Sequence, residues 1–167
     1  MKDIAERCGI SVGALYYYIH SKDDILKLFQ EITSEELGKF ARKNLKILVQ
    51  KSPREAIKKA IDSMISFIEA TQDITVFWYQ EAKNLKQAQM KNLYQREAVE
   101  VDMLKKMLQR GCDQGEFKIK DINLAAHNII VLCDMWAFRR WIMRKDYTFE
   151  QFKKAQTDFI LSKIMNE

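Results

Sequence analysis

A chain of 167 residues, 47% hydrophobic and 31% charged, with one proline and five glycines, is composed for long helices around a substantial core in water, and no run approaches the ~18 uncharged apolar residues of a membrane span. Its net charge of +5 is shared, nine Lys/Arg against seven Asp/Glu over residues 1–51 and the balance beyond, so charge alone does not mark a nucleic-acid module. Three cysteines, Cys8, Cys112 and Cys133, lack C-x-x-C spacing, and the N-terminus has no signal-peptide core; a reducing cytoplasm is expected, with no disulfide framework, metal site or cofactor.

The first predicted element is a short helix with Ile4 and Ala5 as its apolar face, stopped at Gly9, where a residue free to take positive φ costs least. Ser11 then caps a second short helix. Leu15 and Ile19, four apart, share the inner face of that helix and are expected to pack back on Ile4. Val12, Gly13, Ala14, Tyr16, Tyr17 and Tyr18 are left outside. An apolar underside with small and tyrosyl residues outside is the pattern of a helix that enters a DNA major groove. Val12 and Ala14 suit thymine methyls, Gly13 lets the backbone come close, and Tyr17 is the expected base contact. Tyr16 and Tyr18 can donate hydroxyls to phosphates, and Lys22, opening the next helix, adds charge to an anion site. The competing reading, a partly buried tyrosine cluster, is weaker because three consecutive side chains cannot share one helical face.

The run Asp3-Ile-Ala5, Gly9-Ile-Ser11, Gly13, Leu15-Tyr16, Tyr18, Ser21-Lys22 and Ile25-Leu26 resembles the helix-turn-helix of TetR-type transcriptional repressors. The resemblance runs from Asp3 to about Leu28 and implies that Tyr16, Tyr18 and Lys22 hold phosphates. Two positions depart from it: Ala14 stands where a hydroxyl residue is usual, and Ile19 where an aromatic is. Such repressors carry a helix before this motif, so the head is expected to be incomplete at its N-terminus. The alternative that follows is a helical ligand-binding dimer that does not bind DNA.

Ser21, with Asp24 three residues on, opens a third helix whose pattern Ile25, Leu28, Phe29, Ile32, Leu37, Phe40, Leu45 and Leu48 extends to about Val49 as a connector. Ser52-Pro53-Arg54-Glu55 starts the body, with the stripe Ile57, Ile61, Met64, Ile65 and Ile68. Gln72-Asp73 marks a corner, after which Ile74–Tyr79 is expected to be helical rather than a strand. A long helix from Gln87 to Gln114 carries Met90, Leu93, Tyr94, Val101, Leu104 and Leu108 and ends at Gly111 and Gly115. Asp121 caps a helix that is apolar nearly all round, and Thr148–Gln151 is a capping box for the last, which places Phe149, Phe152, Phe159, Ile160 and Ile164 on one side.

The fold class is therefore all-α. A helix-turn-helix head over 1–28 runs through the connector into a ligand-binding and dimerisation body over 50–167. One head binds weakly, so a homodimer on a palindromic operator is expected, joined through the last two helices as the resemblance implies. TetR-type repressors release DNA when a small molecule enters the body. Phe67, Trp78, Tyr79, Tyr94, Met103, Met107, Leu132 and Trp136 are the candidate pocket, large adaptable side chains that would serve equally as plain core. Phe77–Ala82 and Trp136–Trp141 loosely resemble regulators of acyl-CoA breakdown, which implies an apolar or acyl-CoA effector. Arg139, Arg140, Arg144 and Lys145 would then meet its phosphates, or instead neutralise the end of their own helix. Asp134, inside an apolar run, needs a partner. There is no H-E-x-x-H, P-loop, G-x-S-x-G or paired Glu-x-x-His, and Cys133 and His127 diverge on one helix, so an enzyme is not expected.

Overall fold

The computed structural model describes residues 2–21, 24, 25, 27, 28, 31, 35, 38 and 51–165 (of Arg96, the backbone alone). They fall into two compact units, one within Met1–Phe40 and one within Ala41–Glu167.

In the smaller unit, α1 (Lys2–Arg7) and α2 (Val12–Tyr18) pack together. Gly9 ends α1 at φ 66°, and the turn is closed by Gly9 N–H to the Glu6 carbonyl and Ile10 N–H to the Ala5 carbonyl. Ser11 caps α2 by accepting from the Ala14 N–H at 3.0 Å. The inner face differs in one respect from the expectation. Ala5 and Leu15 are the buried pair and Ile19 is half-buried, while Ile4 stays exposed. Ala5 is the inward residue because the short α1 offers a single narrow face to α2.

The larger unit begins with α3 (Pro53–Glu81), capped by Ser52 with Pro53 in its first turn. Ala56, Ile57, Ala60, Ile61, Met64, Ile65 and Ile68 form its buried stripe. The expected corner is a kink one residue earlier: Thr71 leaves the helical region at φ −122°, ψ 19°, and the helix resumes through Ile74–Tyr79. A short 3-10 turn, Ala82–Asn84, reverses the chain into α4 (Gln87–Asp113). The end of α4 is built on two glycines used differently. Gly115 closes the turn at φ 73°, and buried Gly111 accommodates the ring of Phe117. Phe117 pairs with Met165 in the one β-bridge among the described residues. Glu116 accepts the Arg54 N–H at 3.0 Å, which ties this corner to the start of α3.

α5 (Ile122–Met143), capped by Asp121, packs on α3, α4 and α6 (Phe149–Ile164), as its all-round apolar sequence requires. Thr148 and Gln151 cap α6 reciprocally. Ile57, Ile61, Ile65, Leu104, Leu108, Ile129, Trp136 and Ile160 are the deepest large side chains. Trp136 stacks on Phe152, ring centroids 4.8 Å apart. Of the residues expected on one side of the last helix, Phe152, Ile160 and Ile164 are inside, but Phe159 is 48% exposed, since 159 and 160 lie about 100° apart on a helix. Among the described residues no helix is long and apolar enough to cross a membrane.

Candidate functional site

The outer face of α2 is open. Tyr17 and Tyr18 are 77% and 74% exposed, their rings edge to face at 5.2 Å, and Tyr16, Val12, Gly13 and Ser11 are exposed beside them. Ala14 is half-buried rather than outside, because it sits on the edge of α2 next to Leu15. The Asp24 carboxylate accepts from the N–H groups of His20 and Ser21 at 3.0 and 2.9 Å, and Ser21 Oγ accepts from the Asp24 N–H at 3.2 Å. The hydrogen bond with the Ser21 side chain, followed by those from the backbone, holds the Asp24 carboxyl below the ordinary carboxylate value. This is the reciprocal capping that the spacing of Ser21 and Asp24 indicates. Lys22 lies outside the described residues.

The proposed pocket residues divide into two sets. Trp78, Met103, Met107 and Trp136 are buried, and Phe67 and Leu132 are half-buried. Tyr79 and Tyr94 are 53% and 66% exposed. Trp136 belongs to the closed core: its ring lies on Phe149 and Phe152, and its indole N–H donates to Glu69. Tyr79 instead meets α5 at the margin, with its ring edge-on to Phe138 at 4.7 Å and its hydroxyl donating to Asp134 Oδ2 at 3.0 Å.

That bond supplies the partner that Asp134 needed, a hydroxyl rather than a basic residue. Burial pushes the Asp134 carboxyl up to about 6, against the lowering effect of the Tyr79 bond. Burial and then the nearby Asp134 charge raise Tyr79, and burial raises the Cys133 thiol well above its ordinary value. The Asp134 shift has a consequence for stability. Between pH 4 and 6, roughly, the folded chain keeps a proton that the unfolded chain has lost, so stability declines as pH rises through that window. Above it the cost is on the order of 3 kcal/mol. Asp134→Asn retains an acceptor for Tyr79 without the charge. Its melting temperature should exceed the parent's by roughly 10 °C at pH 7.5 and match it near pH 4, read by calorimetry; an equal difference at both pH values would contradict this.

The basic cluster at the end of α5 is partly committed. Arg140 pairs with Asp73 at 2.9 Å and Arg144 with Glu69 at 3.7 Å, while Arg139 and Lys145 are exposed and without an ion pair among the described residues. Sequence reasoning missed Glu69 and Asp73. Their only signal is that two acids four apart on one helix answer two arginines four apart on another.

Exposed apolar side chains also mark α5 and α6. Leu124 and Val131, one heptad apart, are 56% and 54% exposed, and Phe159 stands out on α6 between the exposed Ala155 and Ser162.

Comparison with known proteins bears on both units. Residues 1–28 match the family described as bacterial regulatory proteins, tetR family, and residues 50–142 match the tetracyclin repressor-like C-terminal domain. The HTH-type transcriptional regulator HbdR of Aromatoleum sp. (strain CIB) is 24% identical over 151 residues, 89% of this chain and 64% of that protein. The chain thus spans just under two thirds of the length of the curated relative it matches. The ketosteroid transcriptional regulator KstR2 of Mycobacterium tuberculosis superposes with a TM-score of 0.78 at 20% identity, covering 99% of this chain and 84% of that one. The transcriptional regulator FadR of Bacillus subtilis, solved in complex with stearoyl-CoA, superposes with a TM-score of 0.73 at 19% identity, covering 95% and 85%. At these identities the superpositions establish the fold.

Proposed function

Because the chain belongs to the TetR family of bacterial regulatory proteins, we propose that it is a cytoplasmic transcriptional repressor, binding a palindromic DNA operator as a homodimer and released by a small apolar effector. The observation that carries the reading is the outer face of α2, where Tyr17 and Tyr18 stand free of the unit that holds Leu15 and Ala5 inside. A capped helix with an open tyrosyl face can lie in a major groove, with Tyr17 on base edges and Tyr16 and Tyr18 on phosphates.

Dimerisation supplies the second head. The exposed side chains of Leu124, Val131 and Phe159 support a seam built from α5 and α6, since apolar surface of this kind is ordinarily covered by a partner. The effector enters the body, where the likeness to a stearoyl-CoA-bound regulator and the exposed Arg139 and Lys145 support an acyl-CoA.

Tyr17→Ala tests the division of roles. It should weaken binding to a selected operator by about 1–3 kcal/mol and leave binding to random duplex nearly unchanged. Tyr18→Phe, which removes one phosphate donor, should weaken both alike. A gel-shift series in which the two variants lose affinity identically on both duplexes would refute the assignment.

A further inference from the structure

From Glu69 to Asp102, Trp78 is the only buried residue among the described side chains, although the stretch carries Phe77, Met90, Leu93 and Val101, all half-buried. On either side of it the packing is tight: Ile57, Ile61 and Ile65 before it and Leu104 and Leu108 after it are fully enclosed. One end of the body is a closed core, and the other is a helical hairpin made of the second half of α3 and the first half of α4.

The hairpin has a joint. At Thr71 the backbone is non-helical, the Thr71 hydroxyl donates to the Phe67 carbonyl at 2.8 Å, and the Thr75 hydroxyl donates to the Thr71 carbonyl at 3.4 Å. Such back-bonding bends helices. The α5 contacts sort to either side of that joint. Glu69, before it, is gripped by Trp136 and Arg144. Asp73 and Tyr79, beyond it, meet α5 through the Arg140 ion pair at 2.9 Å, the Asp134 hydrogen bond at 3.0 Å and the Phe138 ring at 4.7 Å. Asp73 is largely exposed, so water competes for its ion pair.

We propose that residues 72–102 are a gate, hinged at Thr71 and latched to α5 by Arg140–Asp73 and Tyr79–Asp134, which swings open to admit an apolar ligand to the body. A segment that buries so little apolar surface opens at lower free energy than the core beside it. The gate deepens the effector reading and rests on it; it does not depend on DNA binding.

Hydrogen exchange on the intact chain, followed by mass spectrometry, tests the gate. Amides of 72–102 should exchange at least about tenfold faster than those of 53–68 and 103–112. Asp73→Asn should speed exchange within 72–102 alone and quicken association of Nile red, an uncharged apolar dye, several-fold. Asp158→Asn, which removes the surface pair with Lys154 on α6, should change neither. Equal protection in the hairpin and the core, acceleration spread evenly over the body, or dye association that ignores Asp73→Asn would each overturn the gate. Loss of operator binding by the unliganded chain would count against the regulator reading alone.

Discussion

Val131→Glu is expected to split the homodimer and lower affinity for a two-half-site operator by at least about 100-fold, given that an uncompensated buried charge costs ~3–5 kcal/mol and each 1.4 kcal/mol is tenfold. Val131 is 54% exposed in the single chain, so the substitution should leave the fold of each copy intact. Its effect comes from symmetry. In a two-fold seam every substitution occurs twice, and two carboxylates would enter one apolar interface. A monomer still presents Tyr17 and its neighbours, so weak binding to random duplex should persist. Sedimentation and gel shift on the same samples check both halves of the statement. A variant that remains dimeric and binds its operator undiminished would remove α5 from the interface.

Gly111→Ala is the second large effect, and it acts on stability. A Cβ at Gly111 would lie 2.0 Å from Cδ2 and 2.2 Å from Cε2 of Phe117. That ring is 4% exposed, and its backbone is pinned to the end of α6 by the bridge to Met165 and the Lys118 N–H to the Ile164 carbonyl. It cannot step aside without opening the corner, so a loss of about 3 kcal/mol is expected. For a domain of this size that lowers the melting temperature by roughly 10 °C. Gly115→Ala is the control. It meets nothing within 4 Å but must hold φ 73°, a strain of about 1–2 kcal/mol. The two variants should therefore melt in that order, Gly111→Ala first; equal melting would show that Phe117 yields freely.

How much of this was legible in the sequence follows from the range of the forces. Helix caps are local, and Ser11, Ser52, Asp121 and Thr148 all cap as their spacing to the next residues indicates. The turn at Gly9 is local too, as is the exposure of Tyr17 and Tyr18, since Leu15 fixes which side of a two-turn helix is inward. Contacts between distant segments were not legible. Nothing adjacent to Asp73 announces Arg140, sixty-seven positions on, and nothing near Asp134 announces Tyr79. The apolar stripe of α4 was visible from Met90 to Leu108, but a stripe states what a helix can bury, not what its neighbours supply. Leu104 and Leu108 find a core, whereas Tyr94 does not. The same ambiguity misplaced Phe159. The hydrogen bond from the Thr71 hydroxyl to the Phe67 carbonyl, one turn back, accompanies a corner one residue before the expected Gln72-Asp73.

Selection of duplexes from a random pool by the intact chain, followed by sequencing, probes the central claim of paired recognition helices most directly. Two copies of α2 in successive major grooves should enrich an inverted repeat whose half-site centres lie about one helical turn, ~34–36 Å, or a multiple of it apart. The same selection with Tyr17→Ala should return the repeat with relaxed preference at one position in each half. A pool that stays random, or that yields a single unrepeated site indifferent to Tyr17, would contradict it.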